Sequence, residues 1–209
     1  EMQRSLVGSE MCIRDRTTTD TVKQEMMVDH CTWDEDYKNL TQKIRKNLLK
    51  LAQVKEETYT AVLIQGSGTF GVESVLGSSV GSDGKLLICA NGAYGKRMAQ
   101  IAEKNQLSYL LYEENYDKIP DAKKISNLLD ANPDITHVSM VHSETTSGIL
   151  NDIAAVANIV KAKGKTMIVD AMSSFGGIPI AIEQLGIDFL ISSANKCIQG
   201  VPGLSLIHI

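Results

Sequence analysis

The sequence predicts an α/β fold with a mostly parallel sheet that is covered by helices on both faces. Short, almost continuous apolar runs recur along the chain, and such runs are typical of strands buried on both faces. Helical patterns lie between most of these runs, and alternation of strands with helices favours a parallel sheet. The 209 residues are also enough to bury the core of one α/β domain.

Two helices are predicted before the first strand. Thr21–Val28 is a short candidate. Asp34–Val54 is longer, because Tyr37, Leu40 and Ile44 begin a series of apolar residues at helical spacing with lysines between them.

The apolar runs that follow are predicted to be six strands. Helical patterns separate them; in Ile153–Lys163, for example, apolar residues recur on one helical face. The predicted strands are Thr60–Gln65, Lys85–Asn91, Ser108–Glu113, His137–Glu144, Thr166–Met172 and Asp188–Ala194.

Composition excludes several function classes. Hydrophobic residues make up 43% of the chain and charged residues 22%, as in ordinary globular proteins. The net charge of -4 argues against nucleic-acid binding, which usually needs a basic face. No apolar run approaches the roughly 20 residues that span a bilayer. We therefore expect neither a nucleic-acid partner nor a membrane partner.

Cysteine and histidine usage indicates neither disulfides nor metal. The four cysteines are scattered, without a CxxC motif, so we expect reduced thiols and a cytoplasmic protein. The N-terminus has no apolar segment typical of a secretory signal. The four histidines form no HExxH motif, so no metal site is expected.

The two ends of the sequence look foreign to the rest. "SLVGSEMCIRDR" (Ser5–Arg16) and "LSLIHI" (Leu204–Ile209) resemble translated sequencing-adapter read-through. We therefore expect residues 1–16 to be a non-native leader and residues 204–209 a non-native tail, and we leave both out of the fold prediction. Residues 17–203 are then expected to form a partial domain.

Polar and glycine-rich segments follow the predicted strands. Open α/β sheets bind ligands beyond the carboxyl ends of their strands, so these segments are where a site is expected. They read "QGSGTFG", "ANGAYG", "VHSETTSG", "VDAMSSFGG" and "SSANK".

The segment Gly66–Gly71, "GSGTFG", allows three interpretations. It matches the GxGxxG pattern of dinucleotide-binding proteins, but the next strand ends at Asn91 where an acidic residue would be needed. Alternatively, backbone amides at a helix start bind a phosphate, helped by the hydroxyls of Ser67 and Thr69. The segment could also be a turn in which Ser67 or Thr69 caps a helix.

Asp170 and Lys196 each stand at the end of an apolar strand. A carboxylate at the edge of a core needs a partner, so Asp170 either pairs with a protonated nitrogen of a ligand or caps the following segment. Lys196 either reaches into solvent or acts as a nucleophile. The small and polar residues Ser192–Asn195 before it and the tight turn "QGVPG" after it favour the nucleophile.

Two further segments contain candidate binding residues. Tyr94 in "NGAYG" either fills the core or stacks on a flat ligand. His142, Glu144 and Thr145 in "HSETTSG" either form a strand end with a capping box or contact the same ligand.

Taken together, these motifs resemble the class V aminotransferases, which depend on pyridoxal 5'-phosphate (PLP) and have the fold-type I architecture. The resemblance runs from about Thr17 to Gly203 and is carried by "LIQGSGTFGVESVLGS", "NGAYGKRM", "MVHSETTSGILN", "IVDAMSSFGGIP" and "ISSANKCIQGVPG". It implies that residues 17–203 are a partial PLP-binding large domain and that the small C-terminal domain is missing.

The resemblance also implies a role for each matching residue. Lys196 would hold PLP covalently and act as the catalytic base, and Asp170 would pair with the pyridine nitrogen. Tyr94 would stack on the ring, and Thr145 would contact the side of its hydroxyl group. The remaining implied cofactor contacts are Ser67, Gly68 and Thr69 at the phosphate, and Met172 and Asn195 along the cofactor.

The segments "CTWDEDY" and "SSANKCIQGVPG" resemble the phosphonate branch of the family. They imply transamination between 2-aminoethylphosphonate and pyruvate, in a homodimer whose sites borrow residues from both subunits. Three alternatives remain open. The first is another class V activity, such as transamination of alanine with glyoxylate or of serine with pyruvate. The others are an NAD-dependent oxidoreductase, suggested by "GSGTFG", and a non-catalytic binding module.

Overall fold

The computed structural model describes residues 18–209. The expected non-native leader, residues 1–16, lies outside the described residues. Within the described part of the chain, no helix is long and apolar enough to cross a bilayer.

The chain alternates between helices and strands from its first sheet strand onward. The helices are α1 (Asp20–Glu25), α2 (Glu35–Leu51), α3 (Gly68–Ser79), α4 (Ala93–Lys104), α5 (Ala122–Ala131), α6 (Ile153–Ala162) and α7 (Ile182–Leu185). The strands are β1 (Ala61–Gln65), β2 (Lys85–Ala90), β3 (Ser108–Glu113), β4 (His137–Val141), β5 (Thr166–Asp170), β6 (Phe189–Ser193) and β7 (Leu204–His208). All six predicted strands are present, some of them shorter than expected.

The strands form one sheet in the order β1-β7-β6-β5-β4-β2-β3. The pairs among β2, β3, β4, β5 and β6 are parallel, and β7 is antiparallel to both of its neighbours. Because β1 and β6 are both antiparallel to β7, they run in the same direction as each other. The carboxyl ends of six strands therefore meet at one edge of the sheet, and the predicted, mostly parallel architecture is confirmed.

Helices cover both faces of the sheet, and each face has its own core. Val72 and Leu76 of α3 pack with Met98 of α4 on one face. On the other face, α2, α5, α6 and α7 contribute residues such as Val156 and Ile182. Within β2, Leu87 points to one core and Ile88 to the other, which explains why the strands read as continuous apolar runs.

Strand β7 lies in Leu204–Ile209, the segment predicted to be a non-native tail. The strand lies between β1 and β6, and Leu206 and Ile207, 2% and 3% exposed, belong to the cores on the two faces of the sheet. The strand was missed because Leu204–Ile209 was read as a non-native tail. Its non-native origin stays a prediction, whereas its place in the sheet is a feature of the fold.

One residue of β7 fits its surroundings poorly. His208 is fully buried, and neither of its ring nitrogens has a hydrogen-bond partner. Its ring lies against Phe175 with 4.8 Å between the ring centroids. Burial lowers the pKa of His208 to about 4, and the nearby backbone of Leu48 and Leu190 opposes that shift without cancelling it.

Candidate active site

A cleft of about 140 Å³ lies beyond the carboxyl ends of the strands, where the sequence predicts a site. Its walls come from the segments that follow β1, β2, β4, β5 and β6. The residues lining it are Gly68, Thr69, Tyr94, Val141, Ser143, Thr145, Asp170, Met172, Ser173, Ser193, Asn195 and Lys196.

The turn after β1 brings the start of helix α3 to the cleft. Gly66 has φ +151°, a conformation that side chains rarely adopt, so the chain turns sharply there. The Ser67 hydroxyl accepts a hydrogen bond of 3.3 Å from the Phe70 amide and so caps the helix. A β-carbon on Gly68 would lie 2.2 Å from the Met172 sulfur, so a larger residue here would have to displace the Met172 side chain.

Asp170 ends β5 with its carboxylate buried in the wall of the cleft. The side chain is 4% exposed and accepts a hydrogen bond of 3.0 Å from the Met172 amide. Burial raises the pKa of Asp170 to about 6, and the negative charge of Glu144 adds to the increase. The Met172 amide and the charge of Lys196 act in the opposite direction. A cationic partner beside Asp170 would therefore stabilise its ionised carboxylate.

Lys196 lies in the turn after β6 and is half-buried. The turn is held by two backbone hydrogen bonds, from the Gln199 amide to the Lys196 carbonyl (2.9 Å) and from the Gly200 amide to the Ala194 carbonyl (2.7 Å). Asp170 and Ile191 are direct partners in the β5–β6 register, so the two strand ends lie side by side. This adjacency brings the lysine and the carboxylate into the same cleft.

Tyr94 stands at the beginning of α4, and its ring lines the cleft on another side. Thr145 lies in the loop after β4, where its hydroxyl pairs with the Ser173 hydroxyl at 2.7 Å. An aromatic ring and a set of hydroxyls therefore complete the walls around the lysine and the carboxylate.

Eight of the nine predicted site residues line the cleft; Ser67 does not. The Ser67 hydroxyl is used to cap α3, which is one of the roles that the sequence left open. His142 also lies outside the lining, because its ring is buried against the Ser174 hydroxyl at 2.9 Å.

Three lining residues were not among the predicted candidates: Val141, Ser143 and Ser173. Val141 and Ser143 lie within the predicted strand His137–Glu144, and Ser173 directly follows the predicted strand Thr166–Met172, so their position in the sequence was a usable signal. Ser193, which also lines the cleft, is one of the small residues noted before Lys196.

The dinucleotide interpretation of "GSGTFG" finds no support in the structure. The residue that follows β2 is Asn91, whose side-chain amide donates to Asn151 Oδ1 at 2.8 Å and to the Lys118 carbonyl at 2.9 Å. An acidic ribose-binding group is therefore lacking at that position.

The chain belongs to the class V aminotransferase family. The family model "Aminotransferase class-V" matches residues 27–209, which is most of the chain. The predicted class and its fold are thereby confirmed.

Two curated relatives share more than half of their aligned residues with this chain. The chain is 59% identical over 191 residues to the 2-aminoethylphosphonate–pyruvate transaminase of Lysinibacillus sphaericus, covering 91% of this chain and 52% of the relative. It is 54% identical over 192 residues to the protein of the same name from Bacteroides fragilis, covering 91% of this chain and 53% of the relative. The chain spans about half the length of these relatives.

Solved structures share the fold over the same part of the molecule. Pyridoxamine-pyruvate aminotransferase from Mesorhizobium loti superposes with a TM-score of 0.86 at 29% identity, covering 93% of this chain and 49% of that one. Ureidoglycine-glyoxylate aminotransferase from Bacillus subtilis superposes with a TM-score of 0.88 at 24% identity, covering 94% and 50%. The second likeness shows the fold alone.

The cleft suits PLP, the cofactor of this family. PLP has an aldehyde, a ring nitrogen that can carry a proton, and a phosphate. The cleft offers an amine at Lys196, a buried carboxylate at Asp170 and the amino end of α3 at Gly68. The crowding of Gly68 against Met172 shows that the walls are closely packed here, as a flat ligand requires.

Proposed function

We propose that this chain is the cofactor-binding part of an aminotransferase that transfers the amino group of 2-aminoethylphosphonate to pyruvate, giving phosphonoacetaldehyde and alanine. The observation that carries the proposal is the meeting of Asp170 and Lys196 in one cleft. The substrates are suggested by the names of the relatives that are 59% and 54% identical.

Lys196 is proposed to be the catalytic residue that holds the cofactor covalently. Once an amine substrate has displaced it, its Nζ takes the proton from the carbon that bears the substrate nitrogen, and later returns a proton. The turn 194–200 fixes its backbone while the cleft leaves the amine accessible.

Asp170 is proposed to keep a proton on the ring nitrogen of the cofactor. When bound, PLP accepts the electron pair left behind by the removed proton, and a protonated ring does so best. Because the Asp170 carboxylate is buried and its pKa is raised to about 6, a cation beside it restores the favourable interaction that burial removed.

The remaining lining residues are proposed to bind and orient the cofactor. The amides of Gly68 and Thr69 at the start of α3, where Ser67 caps the helix, would hold the phosphate. The Tyr94 ring would stack on the pyridine ring. Thr145, Met172 and Asn195, which line the cleft, would bind the rest of the cofactor.

The proposal includes a symmetric homodimer. The large apolar side chains of Met27 and Trp33 are 85% and 84% exposed, which supports contact with another surface of the protein. A cytoplasmic location, inferred from the scattered cysteines, stays a prediction.

Borohydride reduction tests the proposal. The protein expressed from the complete reading frame that contains this sequence is mixed with PLP, reduced, digested and mapped by mass spectrometry. The cofactor mass is expected on the peptide that contains Lys196. Label on Lys85, Lys96 or Lys165 instead, or full activity without label, would contradict the proposal.

A substrate panel tests the proposed reaction against the other class V activities. With pyruvate as acceptor, 2-aminoethylphosphonate should be the best donor, ahead of serine and alanine. Faster transfer from alanine to glyoxylate, or from serine to pyruvate, would support the alternatives instead.

A further inference from the structure

Glu144 is a carboxylate that is completely buried and has no cation as a partner among its hydrogen-bond donors. Burying a charge is costly unless hydrogen bonds compensate for it. Four donors surround this carboxylate and compensate for that cost. The positions of these donors in the fold show which segments the carboxylate connects.

The four donors come from two walls of the cleft. Oε2 accepts hydrogen bonds from the amides of Tyr94 (3.2 Å) and Gly95 (3.4 Å), at the start of α4. Oε1 accepts from the amide (3.1 Å) and the hydroxyl (2.7 Å) of Thr146, in the loop after β4. The Thr146 hydroxyl in turn accepts a hydrogen bond of 3.2 Å from the amide of Ala93.

Helix α4 has no side-chain cap of its own. Its N-cap residue is Gly92, which provides no hydrogen-bonding side chain. The first amides of a helix need acceptors, and a negative charge at that end is favourable. Glu144 supplies both from a segment about 50 residues away in the chain, since its bond to Tyr94 spans 50 positions.

The Glu144 side chain packs directly against Gly92 at the start of α4. A β-carbon on Gly92 would lie 2.2 Å from Cγ and 2.3 Å from Cδ of Glu144. Gly92 has φ -178°, which any residue adopts, so it is the space that excludes a side chain here. The glutamate is therefore fixed directly beneath the first turn of α4.

We propose that Glu144 is a positioning residue that fixes Tyr94 and Thr145, two walls of the cleft, in the arrangement that binds the ring of the cofactor. Tyr94 is the second residue of the helix that Glu144 caps, and Thr145 lies between Glu144 and Thr146 in the loop that the same carboxylate holds. Removal of these bonds frees both walls together. This inference rests on the proposed roles of Tyr94 and Thr145 in cofactor binding.

Only an ionised carboxylate satisfies this set of donors. Each of its two oxygens accepts two hydrogen bonds, and neither presents a hydrogen to the surrounding groups. Glutamine has the same shape, but its NH₂ group would face either the two amides of α4 or the amide and hydroxyl of Thr146. At least one backbone amide would then be left without an acceptor.

The test compares Glu144→Gln with Glu103→Gln, an exposed glutamate near the other end of α4. Both variants are made in the protein expressed from the complete reading frame. PLP affinity is measured by absorbance titration. We expect Glu144→Gln to weaken PLP binding by about tenfold or more and Glu103→Gln to leave it unchanged.

A double-mutant cycle separates positioning from general loss of structure. In a Tyr94→Ala background, Glu144→Gln should weaken PLP binding far less, because the ring that it positions is gone. Gly92→Ala, which displaces Glu144 without altering its charge, should act like Glu144→Gln. Unchanged affinity in Glu144→Gln, or an equal loss with and without Tyr94, would overturn the inference.

Amide hydrogen exchange in protein without cofactor tests whether Glu144 holds the start of α4 and the loop after β4. In PLP-free protein, Glu144→Gln should speed exchange at Tyr94, Gly95 and Thr146 relative to the parent and to Glu103→Gln. Unchanged exchange would also overturn the inference. A failure of the proposed function would be seen separately, as a missing borohydride label at Lys196 in the parent protein.

Discussion

The Ser205 hydroxyl donates a hydrogen bond of 2.6 Å to the carbonyl oxygen of Ser67. Ser205 lies in β7, and Ser67 precedes helix α3, whose first residues line the cleft. A second carbonyl, that of Gly66, lies 3.2 Å from the same hydroxyl. One buried side chain thus connects the central antiparallel strand to the proposed phosphate-binding turn.

Ser205→Ala is expected to lower the free energy of unfolding by about 1 kcal/mol, because the Ser67 carbonyl loses its hydroxyl donor. Ser139→Ala is the matched control. Ser139 is equally buried but its hydroxyl has no partner, so its removal should leave stability unchanged or slightly increased. Urea unfolding of both variants measures the difference. Equal destabilisation by the two substitutions would contradict the assignment.

His208→Leu is expected to stabilise the fold and to flatten its acid dependence. The pKa of buried His208 is lowered to about 4, so the unfolded chain takes up a proton first as the pH falls. Stability is therefore fully present above about pH 6.5 and is lost between about pH 6.5 and 4, by up to roughly 3 kcal/mol. Burial also lowers the pKa of His137 and of His142, which add smaller contributions in the same direction.

Thermal unfolding between pH 4 and pH 8 measures this effect. His208→Asn provides the control, since it cannot titrate but still buries polar atoms. It should flatten the profile without the gain in stability that leucine gives. An unchanged pH slope in His208→Leu would show that the ring is not buried in its neutral form.

Asp170→Asn is expected to stabilise the cofactor-free protein at neutral pH while weakening its binding of PLP. The pKa of Asp170 is raised from 3.8 to about 6, so the folded state holds this proton more tightly than the unfolded chain does. The contribution of Asp170 to stability is therefore present below about pH 4 and is lost as the pH rises through 6, by about 2–3 kcal/mol.

Asparagine avoids this loss, so the stability gain of Asp170→Asn should be largest at pH 8 and should vanish near pH 4. Calorimetry without PLP measures the gain, and titration with PLP measures the weaker binding. Lower stability of Asp170→Asn at pH 8 would contradict the assigned protonation.

Lys196→Ala is expected to abolish transamination and borohydride labelling while the protein remains folded. The side chain is only half-buried and lies in a turn, so little core packing is lost. Lys196→Arg should fail equally, because a guanidinium stays protonated and cannot act as a nucleophile. Circular dichroism and activity measured together test this, and retained activity in either variant would exclude the proposed role.

Gly68→Ala is expected to weaken PLP binding with a small effect on stability. The new methyl group would meet the flexible side chain of Met172, which lines the cleft and would have to move. Gly81→Ala is the control, since no atom lies within 4 Å of a β-carbon at that position. PLP titration of the two variants should separate them, and equal affinities would show that the cleft tolerates the methyl group.

The sequence predicted the strands, their mostly parallel arrangement and most of the cleft, because these depend on local apolar runs and on where they end. The predicted strand His137–Glu144 stops earlier, at Val141, since the chain turns there and Ser143 pairs with Leu150. Residues that depend on distant contacts were harder to interpret. For Glu144 the sequence left open a capping box in its own segment or a contact with the ligand, whereas its carboxylate caps a helix that begins about 50 residues earlier.

Strand β7 has a consequence for the order in which the molecule forms during synthesis. Within residues 18–209, β1 pairs with β7 alone, and the bond between Ser205 and Ser67 joins residues 138 positions apart. The β1 segment leaves the ribosome early but finds its sheet partner only after β7 has emerged. Until then the Ser67 carbonyl lacks its donor from β7, and α3 is held mainly by its packing on α4 and β6. A nascent chain is therefore expected to gain affinity for PLP late and abruptly, when its antiparallel strand closes the sheet.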